Sequence, residues 1–199
     1  MMSAITSQHD HHVEELESMK VMGFWIFLVT DCLIFGTLFA TYAVLVNHIA
    51  NGPSGKEIFE LSGVTWETFI LLTSSFTSGL AMLAMHKGNK KQIINWLIVT
   101  ILLGMSFVGL EVREFAHMVD EGASISTSAF LTAFFTLVGT HGLHVSLGIL
   151  WMIGLIIQLF QRGLNVKTKR KLTVIGLYWH FLDVVWIFIF TIVYLMGVM

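Results

Sequence analysis

Long apolar stretches separated by short polar ones set the pattern of this chain. Five of them, 21–47, 66–85, 93–116, 128–160 and 172–198, are long enough to cross a bilayer. A helix needs about 20 apolar residues to span about 30 Å of hydrocarbon. The apolar residues run on continuously and do not alternate with polar ones. The spans are therefore helices rather than barrel strands. The fourth has 33 residues. At a rise of 1.5 Å per residue it makes about 50 Å of helix, so it must tilt, kink or protrude. The only long connections are 48–65 and 161–171. The expected fold is all-α: a polytopic membrane protein with a bundle of five transmembrane helices in one domain, 21–199.

Residues 1–20 form a polar tail with Asp10, Glu14, Glu15 and Glu17. It lacks the basic segment of a secretory signal peptide, so the first span is read as an uncleaved anchor. The tail is expected to be a short surface helix or disordered. Lys20, Lys87, Lys90, Lys91, Arg162, Lys167, Lys169, Arg170 and Lys171 fall on the N-terminal side of the membrane, against Lys56 and Arg113 opposite. Nine against two places the N-terminus in the cytoplasm and the C-terminus outside.

Composition agrees with this reading: 55% of residues are hydrophobic and 12% charged, too little charge for a soluble surface. A net charge of −2 argues against a nucleic-acid partner. Cys32 is the single cysteine, which excludes an intramolecular disulfide and a thiolate zinc site.

Ionisable residues in hydrocarbon are costly and need a reason. Asp31 lies about ten residues into the first span. Glu111 and Glu114 are three apart near the outer end of the third, with Arg113 between them. His141 and His144 are three apart on the fourth, and His180 and Asp183 on the fifth. That spacing puts each pair on one helix face. The histidines suit haem ligation, as in b-type cytochromes. The acids and histidines together suit a proton relay, and all of them suit interhelical polar pairs. His9, His11 and His12 make a weak metal-binding tract in the tail. The second span carries Thr73, Ser74, Ser75, Thr77, Ser78 and Gly79, and the fourth Gly139, Gly142, Ser146 and Gly148. These small residues suit close helix approach. Trp25, Trp66, Trp96, Trp179 and Tyr194 lie near span ends and fit an interfacial belt, whereas Trp151 and Trp186 lie deeper. No phosphate loop, nucleophile elbow or metalloprotease motif is present. Periodicity and spacing stop short of a reaction.

Four stretches go further: FWIFLVTDCLIFGTLFATYAVL (24–45), LGMSFVGLEVREFAH (103–117), FFTLVGTHGLHVSLG (134–148) and YWHFLDVVWIFIFTIVYLMG (178–197). They resemble subunit III of the haem–copper terminal oxidases, in order over about 20–199. Asp31 stands where many cytochrome c oxidase members have glutamate, and five spans stand where those forms often have seven. Both departures resemble the quinol-oxidising branch. So do ATYAVLVN (40–47), GPSGKEIFEL (52–61) and VYLMG (193–197), which look like cytochrome o ubiquinol oxidase subunit III.

The resemblance implies a complex of the bacterial inner membrane that oxidises ubiquinol, reduces oxygen to water and pumps protons. It implies haems and copper in subunit I, and no catalytic, cofactor-binding or metal-binding residue in this chain. Subunits I, II and IV and membrane phospholipids are the implied partners. The implied role is to pack on subunit I, hold lipid and support assembly and sustained proton uptake. Asp31 matches the family's buried carboxylate, one methylene shorter. Glu114, His141, His144, His180 and Asp183 match its recurrent polar positions. His180, the hydroxyls of the second span, a lipid head group and a subunit I residue are the candidate donors to Asp31. Subunit III of a menaquinol or cytochrome c oxidase, a b-type cytochrome subunit and a secondary transporter are the alternatives.

Overall fold

Nothing between Met2 and Met22 stops a helix: there is no proline or glycine, and helix-forming residues are frequent. The computed structural model describes the backbone of residues 2–46 and 61–198, with side chains described for Met19 and from Met22 onward. In it α1 is one continuous helix, Met2–Leu45. The tail is thus neither a separate surface helix nor disordered, but the extension of the first span, whose apolar part is Met22–Leu45. The side chains of His9, His11 and His12 lie outside the described residues, as do Lys56 and nearly all of the 52–61 motif.

The next helices run longer than their apolar cores. α2 is Leu61–His86 and α3 is Lys90–Asp120. A tight turn joins them. Gly88 takes φ +70°, the left-handed region that favours glycine. Asn89 then caps α3, its side chain accepting from the Gln92 N–H at 3.3 Å. α4 is Ala129–Arg162, opened by Ser128, which accepts from the Leu131 N–H at 3.2 Å. α5 is Val166–Val198, opened by Asn165, which accepts from the Thr168 N–H at 2.9 Å. The long connection expected at 161–171 is therefore only a three-residue turn, 163–165. Hydropathy marks the part of a helix that lies in lipid, while the cap marks where the helix begins. The polar turns 166–171 are helical all the same. Near its end α5 widens into a π-helical segment, Phe190–Leu195.

The five long apolar helices make this a multi-pass membrane protein, and all regular structure among the described residues is helical. α2 packs on α3, α3 on α4, α4 on α5 and α5 back on α2, which closes a four-helix ring. α1 lies outside the ring against α4 and α5.

Trp179 of α5 holds the ring together. Its indole sits between Gly104 of α3 and Gly148 of α4, where an added Cβ would lie 2.9 Å from Cη2 and 3.1 Å from Cζ3 respectively. Its Nε1 donates to Ser74 Oγ of α2 at 3.0 Å. One side chain therefore links all four helices. Trp186 Nε1 donates likewise to Thr68 Oγ1 at 3.0 Å, and Thr77 and Thr100 bond across α2 and α3 at 2.8 Å. In lipid, van der Waals contact and such hydrogen bonds drive helix association, because lipid tails are as apolar as the side chains. Trp179 and Tyr194 are thus core residues, 1% and 0% exposed, and not members of a belt. Trp25 and Trp66 do face outward.

Candidate functional site: buried polar clusters

The ring and its outer helix bring the polar residues into separate clusters. The first joins α1 to α4. Asp31 is buried, and its Oδ1 lies 3.9 Å from His144 Nε2. His144 Nδ1 is 2.7 Å from the Thr140 carbonyl oxygen. A carbonyl only accepts, so Nδ1 carries a hydrogen. In the neutral ring Nε2 is then a bare acceptor facing a carboxyl group. The two attract only with a proton between them, on the acid or on the ring. Tyr178 OH donates to the His144 carbonyl at 3.1 Å, and Phe35 sets its ring edge-on at 5.2 Å. Asp31 Oδ2 has no hydrogen-bond partner among the described residues.

The second cluster joins α2 to α5. Ser75 Oγ and His180 Nδ1 share a hydrogen bond of 2.7 Å. Buried Asp183 places Oδ2 3.7 Å from the same nitrogen. The buried Asp183 carboxyl lies within reach of both the His180 ring and the Ser75 hydroxyl. Of the candidate donors to Asp31, His180 and the α2 hydroxyl Ser75 are thus engaged with each other.

His141 belongs to neither cluster. It is wholly buried between Phe107 and Trp186, with ring centroids at 5.8 and 5.1 Å, and its Nε2 donates to the Leu182 carbonyl at 3.2 Å. It therefore points inward to α3 and α5, while His144, one turn on, points to α1.

The third cluster is acidic. Glu67 of α2 and Glu111 of α3 are each 3% exposed. Both lie within electrostatic reach of half-buried Glu114 and of Tyr194, which the π segment of α5 carries into the core. The Glu111 carboxyl fills the space over Gly142 of α4, where an added Cβ would lie 2.5 Å from Oε2. Arg113 points outward instead. Carboxyl groups crowded together at low dielectric repel one another when charged. No group of three or more histidine, cysteine or acidic side chains is placed to hold a metal ion among the described residues.

A profile of the family described as cytochrome c oxidase subunit III matches residues 1–198. The chain belongs to this family. Cytochrome bo(3) ubiquinol oxidase subunit 3 of Pseudomonas aeruginosa is 57% identical over 190 residues, 95% of this chain and 91% of that protein. Quinol oxidase subunit 3 of Bacillus subtilis is 54% identical over 183 residues, covering 92% and 90%. Cytochrome c oxidase subunit 3 of Bacillus sp. strain PS3 is 49% identical over 178 residues, covering 89% and 86%.

Within this subunit III fold, sequence reading misses Glu67, Tyr178, the pairing of Ser75 with His180 and the burial of Tyr194. Glu67 carries a signal, as the sole acid in α2. Its place at the edge of an apolar run hides it. The partners of Ser75 and Tyr178 come from other helices, which periodicity along one helix does not reveal.

Proposed function

We propose that this chain is the non-redox subunit III of a proton-pumping haem–copper quinol oxidase that passes electrons from ubiquinol to oxygen and forms water. The observation that carries the reading is the 57% identity, over nearly the whole chain, to a protein named cytochrome bo(3) ubiquinol oxidase subunit 3. Haems and copper are assigned to subunit I, with subunits I, II and IV, phospholipid and ubiquinol as partners at the level of the complex. This chain packs on subunit I, holds lipid and supports assembly and sustained proton uptake. The histidines favour this role over a b-type cytochrome by where they face: His141 toward Leu182, His144 toward Asp31 of α1 and His180 toward Ser75 of α2, so that no two of them share a site.

The experiment is purification of the complex through a tag on this chain in mild detergent, with oxygen uptake measured on ubiquinol, menaquinol and reduced cytochrome c. Fast uptake on ubiquinol alone is expected. Uptake on cytochrome c would favour the second reading, a cytochrome c oxidase subunit III, which the Bacillus sp. relative's name supports. Expressed alone, the chain is expected to show no b-type band in a reduced-minus-oxidised spectrum. A stoichiometric band lost in His180→Ala would overturn the assignment.

The domain is read as 21–199 behind a cytoplasmic tail, in the bacterial inner membrane, with the N-terminus inside and the C-terminus in the periplasm. Alkaline phosphatase fused after Glu121 or at the C-terminus should be active, and after Gly88 inactive. The opposite pattern would reverse the orientation.

A further inference from the structure

A groove of about 310 Å³ runs between α1 and α5. Trp25, Val29 and Cys32 line it from α1, and Leu177, Phe181 and Val184 from α5. Every side chain there is apolar or weakly polar except His180. The imidazole is half exposed, 47%, and its Nδ1 is tied to Ser75 with Asp183 behind it. Among the described residues nothing is bonded to its Nε2.

The buried acid determines what Nε2 offers. A carboxyl group at 3.7 Å favours the hydrogen on Nδ1, as an acid behind a metal-bound histidine does. Nε2 of the neutral ring then accepts a hydrogen bond, and the imidazolium donates one from the same atom. The groove therefore suits a mainly apolar molecule with one polar edge that donates in one form and accepts in another. A hydroquinone hydroxyl donates, and a quinone carbonyl accepts.

Depth separates the partner of His180 from a phospholipid head group. His180 lies nine residues beyond Lys171, the last of the basic residues at the start of α5. At 1.5 Å per residue that is about 13 Å. The hydrocarbon layer is about 30 Å thick, so His180 is near its middle, out of reach of phosphate head groups. A quinone ring carries no charge and enters that layer.

We propose that this groove is a docking site for the ring of a membrane quinol or quinone, held by a hydrogen bond to His180 Nε2. The proposal rests on the reading of the chain as a quinol oxidase subunit and adds a site on this chain to it. The ring is bound here without electron transfer, so the site receives or stores the substrate of the complex.

The test uses the whole complex in liposomes and an aryl-azide ubiquinone analogue. Illumination is expected to label this chain within 25–32 and 177–184, and excess unlabelled quinone should remove the label. His180→Leu removes the hydrogen bond and should lower labelling about tenfold. Val29→Trp fills the groove from α1 without touching Ser75 or Asp183, and should lower it as far. Gels establish that each variant complex retains this chain. Labelling of other subunits only, labelling that excess quinone does not compete, or equal labelling in both variants and the unmodified complex would overturn the site. A phospholipid retained in the groove by native mass spectrometry, in place of quinone, would overturn it too. Ubiquinol oxidation by the unmodified complex is read in parallel. If it is fast while the groove stays unlabelled, the site fails and the quinol oxidase reading stands. If it is absent, that reading fails.

Discussion

Trp179→Ala is expected to release this subunit from the purified complex and to lower the complex's thermal midpoint further than Asp31→Leu or His144→Leu. Removing a buried Trp side chain from a packed core costs about 3–5 kcal/mol. In lipid the transfer part of that cost is smaller, but the contact part remains, because no lipid chain fills a hole closed by four helices. The indole is the shared surface of Gly104, Gly148 and Ser74, so its loss loosens the ring at several interfaces at once. Trp179→Phe keeps most of the ring volume and loses the N–H bond, at about 1 kcal/mol. It should retain the subunit. Gly148→Leu fails for the opposite reason, since even a Cβ would stand 3.1 Å from the indole and the rest of the side chain has nowhere to go. The measurement is subunit retention on a gel after heating, with oxygen uptake followed in parallel. Full retention in both Trp179→Ala and Gly148→Leu would mean that the ring does not depend on this contact.

The same contact shows where sequence reading ends. The glycines and hydroxyls of the second and fourth spans announce close packing, and the structure uses Ser74 and Gly148 in that way. Gly104 gives no such signal, because one small residue in an apolar run has no pattern. Distance from a span end puts Trp179 in a belt. That distance runs to the edge of the apolar stretch, whereas α5 begins at Val166 in polar turns. Orientation around the helix, which decides burial, is not legible without knowing the neighbour. The pairs spaced three apart are legible as pairs but not as sites. His141 and His144 share a stripe, yet one turn of helix separates a residue stacked on Trp186 from one facing Asp31. His180 and Asp183 do act together, because their common neighbour, α2, supplies a hydroxyl at the right level. The acidic cluster is half legible. Glu111 and Glu114 stand out inside a span, while Glu67 and Tyr194 reach the same place from helices distant in sequence.

Asp31 is expected to tolerate asparagine and to fail with leucine. His144 Nδ1 gives its hydrogen to Thr140, so Nε2 faces Asp31 as an acceptor unless the ring is charged. An asparagine amide carries a permanent donor of nearly the same shape and can satisfy Nε2 without a proton. Asp31→Asn should therefore keep α1 docked on α4 and leave the initial oxygen uptake and the proton-to-electron ratio near their normal values. Asp31→Leu leaves Nε2 beside an apolar group. A buried polar atom left without a partner costs about 1–3 kcal/mol, enough to loosen a helix that lies outside the ring. The expected result is normal early turnover that decays faster, with partial loss of the subunit. His144→Leu should decay similarly. The double variant should be no worse than the harsher single one, because the two exchanges remove one shared interaction. The readout is oxygen uptake and proton release in liposomes over successive turnovers, with subunit content checked at each stage. An asparagine variant that retains the subunit but stops pumping from the first turnover would place Asp31 on a proton path rather than in a polar seam. Fully additive decay in the double variant would separate Asp31 from His144. If both hold with the subunit in place, the titratable proton of Asp31, and not its packing, is what the complex requires.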